Sequence, residues 1–192
     1  MASQRITDLM QSTACESEIK FYFVTKSGSI DEASEDLKYS FQIIADFSSC
    51  TENLLWVSEA NCLKFDVSSL SKENIFVLEE FEGDAFQHLA LTKAIVLGPR
   101  VVISCQLTDD AVPNIASPIY TLALKNAVVC LSGLSAERRA EIHKLVGFMG
   151  GLWTKDLTES TTHLITNTVT TAKYECARGE DLELIKSINK LN

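Results

Sequence analysis

The chain lacks any apolar run long enough to cross a bilayer: Ala94–Leu97 and Ala127–Leu131 are among its longest, far short of the roughly 20 residues a spanning helix needs. Residues 1–17 are polar and lack the apolar core of a secretory signal, so secretion is not expected. Basic residues are scarce, 17 Lys and Arg against 26 Asp and Glu, a net charge of −9. Affinity for DNA or an anionic membrane comes mainly from Lys and Arg displacing counterions, so direct binding to either is not expected. No pair among Cys15, Cys50, Cys62, Cys105, Cys130 and Cys176 has CxxC spacing, which removes the common zinc and dithiol redox motifs. GxGxxG, Walker A and HExxH motifs are absent as well. No cofactor or metal is therefore expected. A thiol hydrolase would have to pair Cys130 with His143 or His163, and nothing supplies the third, orienting group. The chain is not expected to be an enzyme.

What is present describes a folded protein. The hydrophobic fraction is 46% and the charged fraction 22% over 192 residues, enough for one large domain or two small ones. Cys105 and Cys130 lie inside apolar runs and read as reduced, buried thiols in an intracellular compartment. Charge is unevenly spread. Residues 1–125 carry 9 basic and 18 acidic side chains, whereas residues 126–178 carry 6 and 5. An anion site belongs in the second stretch.

Period and punctuation give the elements. Ile19–Val24, Ile75–Leu78 and Ala94–Leu97 read as strands. Ser29 is positioned to cap a helix through Phe41, with Ile30, Ala33, Leu37 and Phe41 on one face. Ile43–Phe47 reads as a second strand, and Leu63–Val67 alternates like an exposed one. Gly83 and Asp84 open a short helix; Arg100–Cys105 fits either a strand or a helix. Pro113 and Pro118 mark a packed connector. Beyond it, Ala127–Leu131 is a buried strand, followed by a turn at Ser132-Gly133 and an N-cap at Ser135. Ile142, Leu145, Val146 and Met149 form one helical stripe, ended by Gly150-Gly151. Leu152-Trp153 and Thr162–Ile165 are strands, and Thr171–Ala177 begins a helix. This alternation predicts an α/β protein with parallel sheets covered by helices.

Four residues carry the candidate chemistry. Ser132 and Gly133 follow the C-terminal end of a central strand, where open α/β sheets bind ligands. A hydroxyl, a backbone N–H and the next helix N-terminus make an anion cradle there. Lys173 supplies balancing charge and Arg139 stands at the rim. The same residues also fit an ordinary turn and two solvated helix cations. Phe148 and Trp153, flanking the Gly-Gly turn, read as packing, and His143 as a surface residue.

Ala127–Ala177 resembles the first two-thirds of a BRCT domain. The resemblance rests on Leu131-Ser132-Gly133, Met149-Gly150-Gly151, Thr162-His163-Leu164-Ile165 and Ala172-Lys173-Tyr174. Upstream, Val96–Val102 and Val112–Tyr120 resemble the segment joining the first BRCT units of the topoisomerase II-binding checkpoint scaffolds; the epithelial-cell-transforming Rho exchange factors have a similar N-terminal cluster. The residues themselves give a polar leader over 1–17 and a packed connector over 108–125; the resemblance implies a degenerate BRCT-like unit over 18–107 and a BRCT unit with an atypical C-terminal end over 126–192. It also implies a nuclear, non-enzymatic scaffold module that binds phosphoserine or phosphothreonine motifs of partners in DNA damage checkpoint and replication control. Ser132, Gly133, Arg139 and Lys173 would hold the phosphate. The alternatives are a phosphate-independent or autoinhibitory module of an exchange factor, and a truncated isoform that binds nothing. In the family a further strand and a Trp-bearing helix follow the position of Lys173. Residues 178–192 show no apolar β run and no Trp, so the second unit is expected to be truncated at its C-terminus, with Leu182, Ile185 and Ile188 forming a short helix over the open sheet.

Overall fold

The computed structural model describes residues 19–48, 51–115, 117–178 and 183–186, the last stretch as backbone. The predicted leader at 1–17, and Leu182 and Ile188, lie outside them. The chain divides into two compact units between Thr121 and Leu122. Each holds a four-stranded, wholly parallel sheet flanked by helices.

In the first unit β1 is Lys20–Thr25, β2 Leu54–Ser58, β3 Asn74–Leu78 and β4 Ile95–Leu97, in sheet order β2-β1-β3-β4. The inner strands β1 and β3 are buried along almost their whole length, as strands covered on both faces must be. Aromatics pack on both faces of β1: Tyr22 stacks on Phe76 at 4.5 Å on one, and Phe23 meets Phe41 edge-on at 5.0 Å on the other. The helices are α1 (Glu35–Phe47), α2 (Glu59–Cys62), α3 (Gly83–Ala90) and α4 (Pro99–Thr108), with α1 packed against α4.

Three expectations for this unit are corrected. Ser29 caps only a 3₁₀ turn, Ile30–Glu32; Ser34 then caps α1, its hydroxyl accepting from the Leu37 N–H at 3.2 Å. Ile43–Phe47 is the end of that helix rather than a strand. Leu37, Ser40, Ile43 and Ile44 are buried on its inner face, a helical period that a five-residue apolar window cannot reveal. Leu63–Val67 is a turn after α2, and it alternates because Phe65 turns in against Tyr22 and Phe76 while Leu63 and Val67 face outward. Strand β2 lies instead at Leu54–Ser58. In the segment with Pro113 and Pro118, Val112 and Ile119 are buried. Ile119 lies alongside Leu97, accepting from the Gly98 N–H at 2.8 Å and donating to the Val96 carbonyl at 3.0 Å.

In the second unit β5 is Val128–Ser132, β6 Leu152–Thr154, β7 His163–Thr166 and β8 Glu183–Lys186, in order β6-β5-β7-β8. Successive β5 side chains serve opposite faces. Val129 and Leu131 join Leu134 and Val146 under α5 (Ala136–Phe148), while Cys130 joins Leu164 and Ala177 under α6 (Ala172–Ala177). Cys105 and Cys130 are both buried. Helix α5 begins at the predicted cap, Ser135, and ends at Gly150, whose φ of +74° lies in the left-handed region. Leu145 departs from the predicted stripe: it is 55% exposed while Val146 is buried.

The C-terminal expectation is also corrected. Glu183–Lys186 is a strand, not part of a covering helix, and Leu164 pairs in register with Leu184. The fourth strand closes the side of β7 that would otherwise expose a ladder of unpaired amides. A two-residue apolar centre between charged ends is the pattern of an outer strand, which a search for a buried run overlooks.

Candidate functional site

All four predicted residues line one cavity of about 430 Å³ in the second unit. Ser132, the last residue of β5, is 8% exposed. Gly133 follows with φ +68°, and a Cβ added there would lie 2.3 Å from Asn167 Oδ1 and 2.9 Å from Thr168 Cγ2. Both the backbone angle and the space demand glycine. The tight bend swings the chain from the strand into Leu134, which is buried in the core and anchors the loop.

Arg139 lies one turn into α5 and folds back, its Nη2 donating to the Leu134 carbonyl at 2.9 Å. This bond fixes the guanidinium over the Ser132-Gly133 bend. The first turn of α5 is capped from within the chain. Its amide at Arg138 donates to Ser135 Oγ at 3.2 Å. Glu137 lies in the same turn, its carboxyl held below the usual range by its own backbone N–H and the Ser135 hydroxyl. The first turn therefore supplies its own acceptors.

Lys173 arrives from the other side of the sheet, in the first turn of α6, which Thr171 caps through the Tyr174 N–H. Its Nζ donates to the Leu131 carbonyl at 3.4 Å and to the Lys155 carbonyl, and it stands 3.3 Å from Cys130 Sγ. Three acceptors match the three donors of an ammonium. These contacts hold the cation at the wall of the cavity. The Cys130 thiol donates to the Lys155 carbonyl at 3.8 Å and lies beside Lys173.

The cavity includes residues the sequence reading set aside. Trp153 is 51% exposed, and its ring lies parallel to His143 with centroids 3.9 Å apart. Both line the cavity with Lys155 and Asp156. Thr154, between Trp153 and Lys155, has a buried Oγ1 with no partner among the described residues. Ten positions separate His143 from Trp153, across a helix end and a turn, and no spacing rule connects them. Burial, and then the Arg139 guanidinium, push the His143 imidazole below its ordinary pKa. A proton-NMR titration should therefore place its midpoint below about 6.5. Because the unfolded chain takes up this proton at higher pH, the group's contribution to stability declines as pH falls through the same range. A midpoint at or above 6.5 would contradict the geometry.

The corresponding strand end of the first unit is built differently. Thr25 Oγ1 accepts from the Gly28 N–H at 2.9 Å and donates to the Ser29 carbonyl at 3.2 Å. The Ser27 N–H donates to Glu32 Oε2 at 2.9 Å, which holds that carboxyl below its usual range. A carboxylate of the chain itself takes the amide an anion would need. The adjoining cleft sets Glu59, Glu79, Glu80 and Glu82 against Lys26. The acidic surroundings that the sequence shows around Lys26-Ser27-Gly28 are present in the fold.

Comparison with known families follows the same division. The pattern described as "TopBP1, BRCT0 domain" matches residues 21–122, more than half of the chain, and that described as "twin BRCT domain" matches residues 127–186. The chain belongs to the BRCT family. BRCT domains are interaction modules, and the two units are two such domains. Human Protein ECT2 is 32% identical over 117 residues, 60% of this chain and 12% of that protein. The mouse protein is 29% identical over 135 residues, 66% and 14%. The chain thus matches about an eighth of these relatives' length. Among solved structures, the Rad4 BRCT1,2 pair in complex with a Crb2 phosphopeptide is 18% identical, with a TM-score of 0.32, covering 87% of this chain and 85% of that one. Yeast Rtt107 is 13% identical, with a TM-score of 0.47, covering 88% and 38%.

Proposed function

We propose that the second BRCT unit binds phosphoserine or phosphothreonine segments of partner proteins. The observation that carries this reading is the convergence of Ser132, Gly133, Arg139 and Lys173 on one cavity, from two helices and a strand end. A phosphoryl group brings nearly two negative charges and three acceptor oxygens at neutral pH. A hydroxyl, one amide and two cations meet that demand without further partners. In this role Ser132 donates through its hydroxyl, Gly133 through its backbone N–H, Lys173 pairs with the charge, and Arg139 assists from the rim. The first unit, its equivalent cradle filled by Glu32, acts as a partner-independent companion.

We place the module in a nuclear scaffold of DNA damage checkpoint and replication control, in keeping with the family description that matches the first unit. The likeness to Protein ECT2 favours a second reading, a phosphate-independent or autoinhibitory contact within an exchange factor. Fluorescence polarisation with matched phosphorylated and unphosphorylated Ser/Thr peptide libraries separates the two. The first reading expects phosphate to tighten binding by at least about tenfold, consistent with charge-assisted hydrogen bonds worth roughly 1.5–3 kcal/mol each. Ser132→Ala should remove most of that gain. Equal affinity for both libraries, or no binding by a chain that melts cooperatively, would leave the phosphate-independent module, whereas no binding together with a poorly cooperative melt would favour the truncated isoform.

A further inference from the structure

Cys130 and Lys173 are paired in a way that the phosphate reading does not use. Cys130 lies in the middle of β5, its side chain buried with Leu164 and Ala177. Lys173 reaches it from the first turn of α6, and its Nζ stands 3.3 Å from Sγ. The Lys155 carbonyl accepts from both groups, from the thiol at 3.8 Å and from the ammonium. The Leu131 carbonyl accepts from the ammonium as well, at 3.4 Å. Two backbone carbonyls therefore hold a nitrogen nucleophile against a sulfur.

Peroxide oxidises a thiol through its thiolate, and a neighbouring ammonium supplies the counter-charge for that anion. Access is from the cavity, since Lys173, Leu131 and Lys155, which surround the thiol, also line that space. Hydrogen peroxide is little larger than the water such a space holds. An oxidised Cys130 would meet the Lys173 nitrogen first. Cys62 and Cys105 belong to the first unit, and Cys176 is exposed on α6 while Cys130 is buried beneath that helix.

We propose that Cys130 and Lys173 form a modification site at which hydrogen peroxide drives a covalent sulfur–nitrogen link between the two side chains. In the first step the peroxide O–O bond breaks and one oxygen passes to Sγ, giving a sulfenic acid and water; sulfur is oxidised and peroxide reduced. In the second the Lys173 nitrogen attacks Sγ and the S–O bond breaks. The ammonium gives up two protons, one to the departing hydroxyl, which leaves as water, and one to solvent. Two external thiols reverse the link, regenerating both side chains and leaving as a disulfide. The covalent step stands on the Cys130–Lys173 geometry alone. Its consequence rests on the phosphate reading: the link removes the charge of Lys173, leaves Arg139 and Lys155 against Asp156 in the cavity, and so weakens the hold on a phosphorylated partner.

The test uses the full chain, oxidised with hydrogen peroxide, alkylated and digested. Mass spectrometry should find the peptides bearing Cys130 and Lys173 joined, lighter than their sum by two hydrogen atoms, and dithiothreitol should separate them. By fluorescence polarisation the oxidised chain should bind a phosphothreonine peptide roughly tenfold more weakly, the loss of one charge-assisted contact, and recover on reduction. Cys130→Ala, with a cooperative thermal melt to show that it folds, should bind as the wild type does and be indifferent to peroxide. Cys176→Ser should still form the link. A sulfinic or sulfonic acid at Cys130 without the link, a disulfide between Cys130 and another cysteine, or an unmodified Cys130 under peroxide that has oxidised the exposed Cys176 overturns the site. The link forming while phosphopeptide affinity stays within about twofold overturns the regulatory consequence. A chain that forms the link but shows no phosphate dependence removes the phosphate reading and leaves the modification site standing.

Discussion

Lys173→Glu is expected to weaken binding of phosphorylated peptides by about a hundredfold or more and to leave unphosphorylated peptides unaffected. The substitution removes a charge-assisted donor and sets a carboxylate against a near-dianion. Truncating one member of a buried, hydrogen-bonded charge pair typically costs about 2–5 kcal/mol. Lys173 also has a structural role, because its Nζ binds the carbonyls of Leu131 and Lys155 and stands beside Cys130. A glutamate would leave those carbonyls without a donor, so loss of binding could reflect a loosened unit rather than a lost contact. Lys173→Gln separates the two. Its amide can donate to a carbonyl but carries no charge. It should melt near the wild-type midpoint and still lose roughly tenfold in phosphopeptide affinity. Either variant binding phosphopeptide within threefold of wild type would remove Lys173 from the site.

The legible parts of this chain were those in which local signals agree. From β5 to α6, strand, cap, helix stripe, Gly-Gly stop and strand follow one another, and each boundary is set by chemistry within a few residues. Ser132 and Gly133 could be placed because they end a strand, and Arg139 because it lies one turn beyond the cap. Lys173 could be placed because Thr171 and the apolar strand before it locate a helix start. What stayed hidden depended on the third dimension. Leu145 occupies a stripe position yet is 55% exposed, whereas Val146 joins Val129, Leu131 and Leu134 in the core, with Leu124, Ile142 and Ile165 packed against them. Phe65 looked like one member of an alternating strand, and only its contact with Tyr22 and Phe76 explains its inward turn. The filled cradle of the first unit was legible as an acidic neighbourhood. That Glu32 itself takes the Ser27 amide could not be read from a spacing of five residues. The cap of α5 was legible, because Ser135 stands where a helix start needs a side-chain acceptor, and its hydroxyl accepts from the Arg138 N–H.

Gly98→Ala should destabilise the first unit by about 3–5 kcal/mol, the largest stability effect expected of one added methyl group in this chain. The backbone angle is not the reason, since φ at Gly98 is an ordinary −79°. The reason is the close approach of the connector. A Cβ at Gly98 would lie 2.1 Å from the Tyr120 carbonyl oxygen and 2.9 Å from its carbon. These are backbone atoms, which have no rotamer through which to escape. Relief requires the connector to move away, and that breaks the two hydrogen bonds joining Ile119 to Gly98 and Val96. Each bond is worth roughly 0.5–1.5 kcal/mol. Ile119, now buried beside Leu97, would be partly uncovered, a loss of up to about 1.5–3 kcal/mol for a large aliphatic side chain. At roughly 3–4 °C per kcal/mol for a unit of this size, the melting midpoint should fall by about 10–20 °C. Amide exchange at Val96 and Leu97 should accelerate with it. Gly147→Ala is the contrasting substitution. It lies inside α5 with nothing within 4 Å of an added Cβ, and should stabilise the second unit by about 1 kcal/mol through helix propensity alone. If Gly98→Ala melted within a few degrees of wild type while protection at Val96 and Leu97 persisted, the connector would have to be a mobile cover rather than the fixed margin of the first sheet.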